Sequence, residues 1–373
     1  QIGYRSWLGG NLDALDQRFD FDAMQKAALA SDPGPTRTSE TNFAGFLEAN
    51  GVAQLAGRDL KVNLGVRGVN TKQKVSYVFN GTPIVNDHSY FELLPSLNAS
   101  YDLGGNLLAR FSASRTMTRP DPSSIEPVTN VSLTGDVSRG NPDLQPYFSN
   151  AVDLGLEWYY AQGAALTLAG FYKNIQNFVA PVSFQAPFRN AGVPLSALDP
   201  QIVRGLVNGL DTLVTFSTAE NVQDRQTLKG VEIGFQQPLS FVVRGLGFVG
   251  NATYVEANKN TRINGLSRYA FNVTGYYERD DVNFRISYNY RSKYALQIGP
   301  VQDGLPDSII TRGRGQLDLS SSYKLPFLKE LSLTFEAINL TNSDEYSYFG
   351  VENRLAVYRR PGRQFFFGVR GSF

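Results

Sequence analysis

Cysteine is absent from this 373-residue chain, so it has neither a disulfide framework nor a thiolate metal site. Histidine is nearly absent. His88 is the only imidazole, and there is no G-x-S-x-G elbow or H-E-x-x-H pair to support hydrolytic chemistry. An excess of one charge sign is also missing: 35 Lys and Arg against 34 Asp and Glu leave a net charge of +1, which argues against a general nucleic-acid binder. No apolar run approaches the roughly 18 residues of a membrane-spanning helix. The chain opens Gln1-Ile2-Gly3, without an initiator Met or a signal-peptide pattern, and reads as an excised piece. What it does contain is 25 Phe, 19 Tyr and 35 Gly, a composition suited to twisted strands, turns and interfacial aromatics.

The C-terminal stretch Arg363–Phe373 is the most informative. Phe365, Phe367, Val369, Gly371 and Phe373 fall on one face, and Gln364, Gly368, Arg370 and Ser372 on the other, with Phe366 the exception. Successive side chains of a strand point to opposite faces. A strand that is apolar on one face and carries a mid-strand charge on the other suits lipid outside and water or polar protein inside, as in an outer-membrane β-barrel.

The same alternation recurs toward the N-terminus. Val282, Phe284, Ile286, Tyr288 and Tyr290 oppose Asn283, Arg285, Ser287, Asn289 and Arg291, and Leu317 and Leu319 oppose Gln316, Asp318 and Ser320. In all, about 13 strands are expected, at 40–54, 59–73, 86–101, 106–118, 149–160, 164–180, 222–238, 246–258, 267–278, 282–295, 313–325, 330–345 and 358–373. Short turns alternate with long connections at 74–85, 119–148, 181–221, 259–266, 296–312 and 346–357. That is the outer-membrane arrangement, with the long loops extracellular and the C-terminus periplasmic. Tyr101, Tyr160, Tyr277 and Tyr323 lie near short turns on the apolar face, where a periplasmic girdle belongs. The fold class is therefore all-β, a transmembrane antiparallel β-barrel. Residues 1–39 are expected as an extracellular loop segment, with a short surface helix within 22–30, and 40–373 as barrel wall. An odd strand number cannot close with both termini in the periplasm, so an odd number of further strands is expected from elsewhere.

Several segments resemble one family. Asn63-Leu-Gly-Val-Arg-Gly-Val-Asn-Thr71, Arg115-Thr-Met-Thr-Arg-Pro120, Gly140-Asn-Pro-Asp-Leu-Gln-Pro146, Asp153-Leu-Gly-Leu-Glu157 and Phe171-Tyr-Lys-Asn-Ile-Gln-Asn-Phe178 are similar, in order and spacing, to motifs of TonB-dependent outer-membrane receptors. Phe335-Glu-Ala-Ile-Asn-Leu-Thr-Asn342 and Gly362–Phe373 resemble the last two strands of that family. The resemblance implies the C-terminal part of a barrel of about 22 strands whose lumen holds an N-terminal plug. It also implies partners: the N-terminal part of the receptor with its plug and early strands, TonB acting through that part, and outer-membrane lipid with lipopolysaccharide.

The function implied is active import of a scarce nutrient across the outer membrane. Motif spelling favours an oligosaccharide, with a ferric siderophore or other metal chelate as the alternative. A passive porin and an outer-membrane hydrolase rank lower, and no enzyme activity, cofactor or metal site is expected. By face parity His88, Tyr90, Thr116, Asn289, Arg291, Tyr346 and Tyr348 are the candidate ligand-binding residues near the outer rim, where hydrogen-bonding groups beside aromatic faces suit sugar hydroxyls and ring planes. Arg110, Arg285, Asp318 and Glu336 lie deeper and are expected to face the plug. Arg115 and Arg119 have the opposite parity and are expected to face lipopolysaccharide phosphates.

Overall fold

The computed structural model describes residues 36–79, 82–299, 301–302, 305–306 and 308–371. The expected helix within 22–30, most of the expected 1–39 loop segment, and Ser372 and Phe373 lie outside the described residues.

Thirteen strands form one antiparallel sheet in which each strand pairs with its neighbours along the sheet. We number these wall strands β1 (Arg37–Leu55), β2 (Arg58–Phe79), β3 (Thr82–Gly104), β4 (Leu107–Thr118), β5 (Tyr147–Ala161), β6 (Ala164–Gln176), β7 (Gln226–Pro238), β8 (Leu246–Ala257), β9 (Tyr269–Arg279), β10 (Val282–Arg291), β11 (Arg314–Leu325), β12 (Leu328–Ile338) and β13 (Gln364–Gly371). Each overlaps one of the expected strands, although those expected at 330–345 and 358–373 are shorter, at Leu328–Ile338 and Gln364–Gly371. The cross-strand register keeps one parity of residues together throughout. Asn50, Asn63 and Asn98 share a row on the polar, luminal face, and Phe335 pairs with Phe367 on the apolar, lipid face. Apolar side chains on that second face, such as Leu47, Phe91, Leu154 and Phe367, are exposed because lipid rather than protein covers them.

The short connections are tight turns. β1 and β2 are joined through Ala56 and Gly57, both at positive φ (50° and 74°), as the turns that match strand twist require. At the start of β8, Gly245 has φ +90°, and a Cβ there would overlap the Glu278 carbonyl of β9. The girdle tyrosines are anchored at this end of the sheet. The Tyr101 hydroxyl donates to the Leu55 carbonyl at 3.0 Å, and the Tyr160 hydroxyl to Gln237 Oε1 at 2.5 Å.

The long connections differ from expectation. The region 74–85 is not a loop: β2 and β3 stay paired from Leu60 and Tyr101 up to Phe79 and Thr82. The hairpin persists because Val75 has something to cover it; it is 0% exposed and packs with Ile125 and Leu144 of the β4–β5 connection. Residues 129–131, 137–139, 179–187 and 213–221 form a separate four-stranded sheet. It has its own apolar core of Val137, Ala186, Phe188, Ala191, Leu206, Val214 and Phe216. A second small sheet joins 294–297, 309–311, 345–349 and 355–359. Two domes of strand structure therefore stand over the long-loop end of the wall.

Candidate functional site

Near the outer end of the lumen, β1, β2 and β3 present two polar rows. Asn42, Thr71 and Tyr90 form one, and Glu40, Gln73 and His88 the other. Thr71 is 0% and Gln73 3% exposed, unusual for luminal side chains of an open wall, because the β4–β5 connection lies over them. That covering follows from the pairing pattern. β3 and β4 pair only from Ser96 and Ser114 toward the short-turn end, whereas β4 and β5 stay paired up to Thr118 and Tyr147. Beyond Ser114 the β4–β5 hairpin leaves β3 and crosses its inner surface.

This crossing corrects the expectation for Arg115 and Arg119, which do not face lipopolysaccharide. Arg115 is ion-paired with luminal Glu92 at 3.2 Å, its guanidinium 4.4 Å from the centre of the buried Phe148 ring. Arg119 donates to Asn42 Oδ1 at 2.8 Å and to Thr71 Oγ1 at 3.1 Å, and its Nε lies 3.3 Å from Glu40. Parity along β4 gives the wrong face because it assumes that the strand stays in the sheet. His88 lies 3.3 Å from Asp143 of the Gly140–Pro146 motif, and Asn86 donates to the same carboxylate at 3.2 Å. The Tyr90 hydroxyl and the Gln73 amide nitrogen are buried without a hydrogen-bond partner, so donors remain available in this array. Thr116 takes its place on the luminal face of β4 opposite Ser149.

The remaining candidates gather elsewhere. β10 is seven strands away from β3 along the sheet, so Asn289 and Arg291 do not share a pocket floor with His88 and Tyr90. Asn289 lies between Asn272 and Gln316. Arg291 donates to Ser267 Oγ at 2.6 Å and to the Gly265 carbonyl, and stacks over the Tyr294 ring at 3.9 Å. Tyr346 and Tyr348 belong to the second small sheet and not to the wall, since β12 ends at Ile338. The Tyr346 ring is capped by Arg312 at 4.7 Å and stands 6.4 Å from Tyr358, and its hydroxyl donates to the Glu352 carbonyl at 2.6 Å. Tyr348 is only 5% exposed and serves that sheet's interior. The sequence does not single out Arg312, whose partner Tyr346 lies in a different long loop, or Tyr358, which meets Tyr346 only through the pairing of the small sheet.

Deeper in the lumen, Arg110 donates to both oxygens of Glu157, at 2.7 and 3.1 Å, and Ser112 to Asp153 at 3.0 Å. Arg285 donates through Nε to Glu278 at 2.9 Å. Asp318 accepts from the Gln316 amide at 2.8 Å and from the Asn339 backbone N–H at 2.8 Å. Glu336 shares a row with Ser320 and Phe366. Three of the four residues expected to face a plug are thus already held by neighbours on the wall.

The family model described as TonB dependent receptor-like, beta-barrel matches residues 1–340. Curated protein sequences yield no match. Among solved structures, a mutant ferric enterobactin receptor of Pseudomonas aeruginosa (PfeA) with enterobactin aligns at 19% identity and a TM-score of 0.55, covering 90% of this chain and 55% of that one. The ferric-catecholate import receptor Fiu of E. coli K12 aligns at 17% identity and a TM-score of 0.61, covering 91% of this chain and 45% of that one. The copper transporter OprC aligns at 15% identity and a TM-score of 0.61, covering 90% and 49%. The chain spans about half the length of these solved receptors, and at such identities the likeness shows the fold. The family is one of outer-membrane transport barrels and not of enzymes. The luminal and lipid faces, the ordered strand pairing and the match over most of its length agree: this chain belongs to the TonB-dependent receptor β-barrel family.

Proposed function

We propose that the protein takes part in TonB-dependent uptake of an anionic metal chelate of the siderophore type across the outer membrane. The observation that carries this reading is the cation–aromatic character of the outer mouth. Arg312 caps Tyr346 beside Tyr358, Arg291 covers Tyr294, and Arg354 stands 5.7 Å from the Phe349 ring. Guanidinium groups over phenol rings offer charge-assisted hydrogen bonds and stacking surface together, which suits a flat, anionic, aromatic chelate better than a neutral sugar. The oligosaccharide favoured by motif spelling therefore gives way to the metal chelate. The solved receptors of similar fold, described as binding ferric enterobactin, importing ferric catecholates or transporting copper, support the same choice.

In this reading the ligand is captured between the extracellular sheets, and the plug, supplied by the rest of the receptor, releases it inward when TonB acts on it. The test is titration of the full-length receptor with ferric enterobactin and, in parallel, with neutral oligosaccharides, followed by iron uptake in cells with and without TonB. Saturable chelate binding, weakened about tenfold by Arg312→Met, and uptake that requires TonB are expected. Saturable oligosaccharide binding with no chelate bound would overturn the proposal.

A further inference from the structure

The β4–β5 connection rests on the inner surface of the wall through a set of polar ties, and one of them can change charge. Arg119 reaches Asn42, Thr71 and Glu40, Arg115 reaches Glu92, and the Thr38 hydroxyl donates to Glu126 Oε1 at 3.3 Å. Guanidinium and carboxylate groups, as types, keep their charge from about pH 5 to about pH 8, whereas an imidazole ordinarily gains or loses its charge there. His88, the only imidazole of the chain, supplies a further tie, its Nε2 lying 3.3 Å from Asp143 Oδ1.

Contacts other than the imidazole hold the carboxylate in place. The Asp143 backbone N–H donates to Asn141 Oδ1 at 3.0 Å, and the Asn141 amide donates to the Ala219 carbonyl at 3.0 Å. Leu144, the next residue, is buried against Val75 and Ile125. On the wall, His88 shares its row with Gln73 and Glu40 and is flanked along β3 by Asn86 and Tyr90. Asn86 donates to the same Asp143 oxygen at 3.2 Å. Asp87 and Lys74 pair on the opposite face of the sheet, and Glu40, two strands away, is met by Arg119. On the side where β4 leaves the sheet, the facing element is the connection itself, and the charge it presents to the ring is Asp143.

We propose that His88 and Asp143 make the grip of the β4–β5 connection on the luminal wall depend on pH, tighter in acid than in alkali. A neutral imidazole offers Asp143 one ordinary hydrogen bond, whereas the protonated ring offers a charge-assisted one. The added grip is fully present where the imidazole is charged with the connection open as well as closed, and it is lost as rising pH neutralises the ring. The side chains are 40% and 71% exposed, so water screens the pair and the effect is graded, about threefold in the ratio of closed to open connection. This contact governs exposure of the covered Thr71 and Gln73 side chains, and it acts whichever nutrient the receptor carries.

The experiment uses the full-length receptor in mild detergent. Hydrogen exchange is followed by mass spectrometry at about pH 5.5 and about pH 8, corrected for the intrinsic pH dependence of exchange. Peptides from 119–148 should be about threefold better protected at the lower pH, with β11 and β12 unchanged. His88→Gln keeps an amide donor near the carboxylate and cannot titrate, so protection of 119–148 should become equal at the two pH values. Asp143→Asn should abolish the difference as well, and it carries the test if His88→Gln lacks the heat-shifted gel mobility of a folded barrel. Asn86→Ala removes the partner that does not titrate, so it should lower protection at both pH values and leave the threefold difference. Equal protection of the wild type at the two pH values would overturn the proposal. So would a threefold difference that survives in folded His88→Gln or Asp143→Asn, or one spread evenly over the whole wall.

Discussion

Replacing Arg119 by Met tests whether the β4–β5 connection is latched onto the inner wall. The substitution keeps a long apolar stem and removes the guanidinium that meets Asn42, Thr71 and Glu40. The ion pair with Glu40 is about one-third exposed on both sides, so its own worth is well under about 1 kcal/mol. The larger loss is at Thr71, which is completely buried and would lose the donor to its hydroxyl oxygen, a deficit of about 1–3 kcal/mol. Together these give about 2 kcal/mol, or roughly a 30-fold increase in local opening. Hydrogen exchange followed by mass spectrometry on the full-length receptor should show that increase in peptides from 119–148, with β11 and β12 unchanged. Unaltered exchange in 119–148 would refute the latch. Equal acceleration across the whole wall would refute it as well, since the cost would then be global.

Two further outcomes test the wall itself. Phe367, 81% exposed on the lipid face midway along β13, should not tolerate charge; Phe367→Lys is expected to cost about 2–4 kcal/mol when folding into lipid vesicles is measured by denaturant titration. A wild-type midpoint would mean that this face does not meet hydrocarbon. Gly245→Ala places a Cβ against the Glu278 carbonyl at a backbone φ of +90°, so the yield of heat-modifiable folded barrel should fall severalfold; an unaffected yield would show that the β8–β9 junction can yield.

The wall was legible in the sequence because its strands carry their own two-residue alternation, broken only at positions such as Phe46, Asn70 and Phe366. Val282–Arg291 announces both faces without reference to any other segment. The extracellular sheets carry no such signal. Segments such as 129–131 and 137–139 are three residues long, and the parallel pairing of Val137 with Phe216 joins two different loops. Face parity puts Tyr346 and Tyr348, in the expected connection 346–357, on the luminal side near the rim because alternation is carried past Ile338, whereas the chain turns there and enters another sheet. Arg115 and Arg119 show a second limit: parity reports a side chain's face of its own strand, and the departure of that strand from its neighbour depends on contacts far along the chain.

The pairing of Val137 with Phe216 also bears on the order in which the molecule is built. Wall strands meet partners close by in sequence or across one connection, so hairpins can be added one after another with little entropy lost to loop closure. The first extracellular sheet cannot be made that way. Two of its strands precede β5 and two follow β6, so its halves come within reach only after the β5–β6 hairpin has brought both connections to the same end of the wall. Closure of that dome therefore follows the β5–β6 hairpin, and a chain stalled before Leu213–Asn221 is in place would carry Val137 and Phe188 uncovered.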